Sequence, residues 1–228
     1  MDWVQKVCES CAEAAASIDD SFPEWTDFAE FCRLRERGLR HDSFRVLERF
    51  VAGIEATAFS ERQRFVRWLY ERPMDKRQML LPHPLKVRVV DPTLEEWTQR
   101  EPDDALPHVW IGGLDHLKKA VSLDPSQQEG VTELVRMTLN CIHFELHELP
   151  RGFLGDSPAN TRAGLLSVRL IARHIVDTEK RNALFDAIDY YRELAESYAD
   201  YLISTAYPEI GFEEWAAISG RRCQLGDP

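Results

Sequence analysis

The chain has 228 residues, with 28 Lys plus Arg against 39 Asp plus Glu, and 44% of its side chains are hydrophobic. A chain of this length buries roughly 70 to 75% of its unfolded surface, so folding requires neither a metal nor a disulfide staple. The net charge of −11 opposes polyphosphate, whose affinity comes from Lys and Arg, so no nucleic-acid partner is expected.

No run approaches the ~18 apolar residues of a membrane span, and Asp2 and Glu9 stand where a secretory signal would be basic and then apolar. A cytoplasmic protein with no membrane partner is expected. Five cysteines (Cys8, Cys11, Cys32, Cys141, Cys223) are an odd number without a framework, as for reduced thiols. Cys8 and Cys11 form a C-x-x-C within a helical stretch. They lack the second pair of a zinc site and read as two thiols on one helix face.

Helical periodicity dominates. Val4, Val7, Cys8, Cys11, Ala15 and Ile18 lie on one face of a first helix. A second opens at Pro23, carries Trp25, Phe28, Phe31, Cys32 and Leu34, and stops at Gly38. Asp42 reads as the cap of a third, with Phe44, Leu47, Val51 and Ile54 inward. Ser60 and Gln63 have the form of a capping box for a fourth, with Phe65, Trp68 and Leu69, ending at Pro73. The first 73 residues thus predict two antiparallel hairpins.

Pro82, Pro84, Pro92, Pro102 and Pro107 then crowd into 26 residues and predict an irregular connector. Leu85 to Val90 alternates like an edge strand, and Thr93 with Glu96 suggests a capped short helix through Arg100. Helices are predicted again over 113–123, 126–149, 158–176, 179–206 and 212–218, with Pro125, Pro150 and Pro158 at the joints. Leu184, Ile188, Tyr191, Ala195, Tyr198 and Leu202 share one face of the long helix. The expected fold is all-α: stacked antiparallel helical hairpins with an irregular Pro-rich connector in the middle. Its segments are 1–81, 82–109 with one short helix, and 110–228, forming one compact unit.

Over Gly113-Leu114-Asp115-His116-Leu117-Lys118-Lys119-Ala120-Val121-Ser122-Leu123-Asp124-Pro125 the chain resembles the second helix of a tetratricopeptide repeat: Gly113, Leu117, Ala120 and Pro125 match in order. The resemblance implies an α-solenoid-like stack in which small residues allow close helix approach. The wider string Trp110-Ile111-Gly112, Leu123-Asp124-Pro125, His147-Glu148-Leu149-Pro150 and Gly155-Asp156 also resembles a set of uncharacterised bacterial proteins with a degenerate repeat of this kind. Glu148 departs from their pattern, which has a second His there.

His143 and His147 are four apart on a helix, a spacing that can share a zinc ion, with Asp156 or His174 as a third ligand. Glu145 follows the first His by two rather than one and points about 200° round the helix, so the zinc-protease pattern fails. The two histidines read as part of a solvated or groove-lining polar face. Glu145 falls on the apolar arc with Leu134, Val135, Thr138 and Ile142, and its carboxylate needs a partner there, such as an Arg or the connector. No P-loop, G-x-G-x-x-G or G-x-S-x-G is present, and neither a catalytic residue nor a cofactor is expected. Gly152 and Gly155 with Asp156 read as a structural turn.

Charge is segregated, with nets of −7 over 1–32, +7 over 33–90 and −11 over 91–228. Arg45, Arg49, Arg64 and Arg67 oppose the apolar arcs of their helices, with Trp68 close by. They are the candidate contacts for an acidic protein partner, or else a solvated face balanced by the acidic first helix. The expectation is a non-catalytic helical protein–protein interaction module. The alternatives are a metal-dependent hydrolase using His143, Glu145 and His147, and an antitoxin-like inhibitor of a cationic enzyme.

Overall fold

Every element assigned among residues 3–149, 157–204 and 209–223, which the structure (a computed structural model) describes, is helical; no strand occurs among them. Contacts divide the chain into two units, Met1–Ile111 and Gly112–Pro228.

The first unit opens with α1 (Trp3–Ser21), a 3-10 turn at Pro23–Trp25, and α2 (Thr26–Glu36). The early Cys8 thiol donates to the late Glu36 carbonyl, so α1 and α2 run antiparallel. Gly38 ends α2 as read from the sequence. Its φ of +74° is left-handed backbone, and Leu39 N–H reaches back to the Leu34 carbonyl at 2.8 Å, closing the helix end. α3 (Arg40–Glu55) then packs on α2, leaving α2 between α1 and α3. α4 (Phe59–Tyr70) finds its main neighbour in a later helix rather than in α3, so the second predicted hairpin is only weakly formed. α5 (Met74–Leu80), which no periodicity signalled, returns onto α1. An aromatic core holds the unit together: Trp25, Phe28, Phe50, Phe65 and Trp68 are buried, with ring centroids 4.9–6.0 Å apart.

The predicted caps differ. Leu39 and Ala58 occupy the N-cap positions of α3 and α4 without side-chain bonds, which puts Asp42 and Ser60 inside the first turns. Asp42 instead pairs with Arg45 at 3.2 Å. Thr93 is buried and donates to the Val89 carbonyl at 2.6 Å, and Glu96 pairs with Arg62 at 2.8 Å, so neither belongs to a capping box.

Most of the Pro-rich stretch is helical rather than irregular, with a turn over 101–105 that holds Pro102, and Leu85–Val90 is not extended. α6 (His83–Leu85) continues through a π-helical turn (Lys86–Val90) into α7 (Asp91–Arg100), and α8 (Leu106–Ile111) follows. Two physical reasons account for this. Pro84 occupies a first helical turn, where its missing N–H is no loss; Pro92 is the second residue of α7, just past the widened π turn, which relieves the bond it cannot make. A lone strand would also leave its backbone unpaired, whereas a helix satisfies its own and buries Leu85, Val89 and Val90. α7 covers α4, and Trp97, fully buried, donates its indole N–H to Glu101 and Asp104 at 3.1 Å each.

The second unit comprises α9 (Leu114–Leu123), α10 (Gln128–Leu146), α11 (Pro158–Ala172), α12 (Thr178–Ile203) and α13 (Phe212–Ser219). α11 packs between α10 and α12, α9 lies on α10, and α13 lies on α12. Gln127, Ser157 and Asp177 accept from backbone N–H groups three residues on, capping α10, α11 and α12. The Gln128 side chain bridges the His174 carbonyl and the Val176 N–H, at 2.9 and 2.8 Å, tying the start of α10 to the loop after α11. The predicted α12 face is confirmed: Ile188, Tyr191 and Ala195 are buried, and Leu184, Tyr198 and Leu202 pack against that core. No helix among the described residues is long and apolar enough to cross a membrane.

Candidate functional site

The basic face predicted from the sequence is neutralised within the first unit. Arg45 pairs with Asp42, Arg49 with Asp27 at 3.0 Å, and Arg64 with Glu24 and with Glu61. Arg67 lies 5.1 Å over the Trp97 ring, with Asp104 at 4.0 Å. Each guanidinium therefore already has a carboxylate neighbour, and the recess beside them, about 630 Å³, is lined by Glu24, Asp27 and Glu61 as well as Arg49. Trp68 departs from its expected place on a docking surface. It is 9% exposed, donates to the Ser17 hydroxyl at 3.4 Å and carries Arg72 on its face at 4.0 Å. It serves the core because its helix buries an arc wide enough to include Phe65, Trp68 and Leu69 together.

A second concavity went unmarked by motif or periodicity. Where α2 turns into α3, a groove of about 690 Å³ is walled by Val7, Phe44, Met79 and Leu81, with Arg35 and Arg40 among its polar residues. Arg35 is half-buried, donates to the Met79 carbonyl at 2.8 Å and lies 5.6 Å over Phe31. Arg40 is exposed and lies 5.9 Å over Phe44. Neither forms an ion pair with any described residue. The only clue in the sequence was the run Arg33, Arg35, Arg37, Arg40 with a single acid, Glu36, inside it.

The C-x-x-C thiols do not pair with each other. Cys11 and Cys32, both fully buried, share a hydrogen bond that lowers the Cys11 pKa, whereas burial pushes the Cys32 thiol well up. Two helices facing each other decide this partnership, and spacing along one helix does not reveal it.

In the second unit the imidazoles diverge. His143 Nδ1 lies 3.1 Å from the Tyr191 hydroxyl, whose pKa is raised by burial and by Tyr190. His147 turns back onto the Phe144 carbonyl, with Nε2 3.1 Å from Glu148. Glu145 is half-buried and accepts from the Thr161 hydroxyl at 3.0 Å, a partner on α11 rather than an Arg or the connector. Asp156, Gly155, Gly152 and Pro150 lie outside the described residues, and the His174 carbonyl is engaged by Gln128. Among the described residues no three His, Cys, Asp or Glu side chains converge in a metal-holding group.

Of the half-repeat residues, Leu117 and Ala120 are buried, at 0% and 1% exposure, where α9 packs on α10. Gly113 is needed for a different reason from the one the resemblance implies. Its φ is +76°, and a Cβ there would meet nothing within 4 Å, so backbone conformation selects glycine and close approach does not. Pro125 is exposed in the turn after α9. There the Asp124 carboxylate accepts from the Ser126 hydroxyl and N–H, which lowers its pKa. Comparison of the chain with protein-family models, curated proteins and solved structures finds no match to any of the three.

Proposed function

We infer that the chain is a non-catalytic helical protein–protein interaction module, a cytoplasmic protein of stacked hairpins in the manner of tetratricopeptide repeats, and that its first unit carries the contact surface. The observation that carries this reading is the groove at the α2–α3 turn, where an apolar wall stands beside guanidinium groups that have no carboxylate partner among the described residues. Interfaces favour this combination of arginine with apolar and aromatic surface. The arginines farther along α3 and α4 fit the reading less well, because a partner would first have to displace Asp27, Glu24, Glu61 or Asp104.

Photo-crosslinking tests it. A photoreactive residue is placed at exposed Gln78, in the groove wall, and separately at exposed Lys119 as a control, in the full chain expressed in its native host. A stoichiometric protein adduct from position 78 and none from 119 is the expected outcome. No adduct at either position, or equal adducts at both, would remove the module reading from this surface.

A further inference from the structure

Among the arginines of α2, α3 and α4, only Arg35 and Arg40 have no carboxylate partner among the described residues, and both lie at the groove. On α3 and α4 each of Arg45, Arg49, Arg64 and Arg67 has a carboxylate of the same unit within ion-pair distance. At the α2–α3 turn no ion pair among the described residues answers Arg35 or Arg40. Arg35 and Arg40 line the groove together with one acid, Glu36, and Arg37 stands exposed beside them. The two lining arginines differ in what they have left to give. Arg35 spends its guanidinium on the Met79 carbonyl and the Phe31 ring, which makes it a strut holding α5 to α2. Arg40 lies 5.9 Å from the centre of the Phe44 ring, and its N–H fork finds no acceptor among the described residues. A guanidinium without an acceptor leaves its N–H fork for a carboxylate, the group arginine binds best.

The rest of the groove defines what should accompany that carboxylate. Phe44, Met79 and Leu81 offer apolar surface over buried Val7, and Pro82 and Pro84 stiffen one side, so little ordering is needed on binding. Its volume of about 690 Å³ is within the range of about 300–1,000 Å³ that bound ligands occupy. One free fork beside an apolar wall suits a single carboxylate on an apolar segment, whereas a polyanion would meet a chain of net charge −11.

We propose that this groove binds an acidic, apolar peptide segment of a partner protein, with Arg40 receiving an Asp or Glu carboxylate and the Phe44–Met79–Leu81 wall receiving a neighbouring Leu, Ile or Phe. The proposal rests on the interaction-module reading and names the chemistry of its partner. Arg40 is the binding residue and Arg35 a positioning residue.

A random-sequence peptide display library selected on the full chain tests it. Selected peptides should carry Asp or Glu adjacent to a large apolar residue. They should bind Arg40→Gln at least about tenfold more weakly, the loss expected for one charge-assisted hydrogen-bonded contact. Gln78→Glu, which adds a like charge to the groove wall, should weaken them too, with both variants melting as the parent does. Cys8 lines the groove and is half-buried, so its alkylation in a Cys141→Ser background should slow when a selected peptide is bound. Selected peptides without acids, affinity unchanged in Arg40→Gln, or an unchanged Cys8 rate would each overturn the proposal. Protection of Cys8 by sodium octanoate with no peptide selected would also overturn it, by giving the groove to a small organic acid. Crosslinking at position 78 separates the two readings: an adduct that persists in Arg40→Gln at full yield refutes the acidic segment and leaves the module standing.

Discussion

Replacing Ala120 by Glu tests the packing of α9 on α10. Ala120 is 1% exposed and lies one turn from Leu117, which is fully buried, so a longer side chain has no route to solvent without separating the helices. Overpacking costs about 1–3 kcal/mol, and an unpartnered buried carboxylate adds several kcal/mol. The sum, about 4 kcal/mol or more, is comparable to the ~5–15 kcal/mol of a whole domain. At about 2–8 °C per kcal/mol, the span from a large to a small domain, the melting transition should fall by at least about 8 °C, read by far-ultraviolet circular dichroism. The pH dependence carries a sign of its own. Burial would raise the folded-state pKa of the new Glu above its unfolded ~4.3, so the penalty is absent below that value and grows as pH rises through the neutral range. Acidifying the variant from pH 7 to 5 should therefore recover part of the loss. Lys119→Glu, on the exposed side of the same helix, should shift stability by roughly 0.5 kcal/mol or less. A melting temperature unchanged in Ala120→Glu would show that the α9–α10 contact is not a close-packed one.

Other perturbations follow from the same contacts. Arg64→Glu places a third carboxylate against Glu24 and Glu61 and should destabilise the chain by about 1 kcal/mol, a loss that 0.5 M salt largely removes; no salt sensitivity would mean that these pairs are idle. Among the cysteines, exposed Cys141 should be alkylated first under native conditions, followed by half-buried Cys8 and Cys223. Cys11 and Cys32 should react only on unfolding, and peptide mapping that finds either modified early would contradict their burial. Glu133 is held below its ordinary 4.5 by the Arg136 guanidinium, so its contribution is complete above that pH and is lost as pH falls through the lowered folded value. Glu133→Gln should flatten this acid limb in a titration of the unfolding midpoint; an acid limb identical to the parent's would show that the pair contributes nothing.

What the sequence determined by itself was local: the all-α class, and some of the points where helices start and stop. Gly38 ends α2 and Pro158 opens α11 because a left-handed residue or a missing N–H acts on its own turn, whatever surrounds it. The inward face of α12 was legible for the same reason, since Ile188, Tyr191 and Ala195 recur at the helical period. Proline density misled because it marks where a helix can be interrupted without fixing whether it is. A π turn before Pro92 and the buried contacts of Leu85, Val89 and Val90 kept the stretch helical. Only the tertiary structure decided which charges are spent. Arg49 meets Asp27, Arg64 meets Glu24 and Arg67 meets Asp104, partners 22 to 40 positions away that no helical wheel brings together. Those pairings satisfied the arginines that the sequence singled out and left Arg40, at a turn, without an ion-pair partner among the described residues. Trp68 entered the core with the helix face that periodicity gave it, whereas Cys11 found Cys32 on the facing helix because pairing is set by what packs opposite, which spacing along one chain segment does not encode.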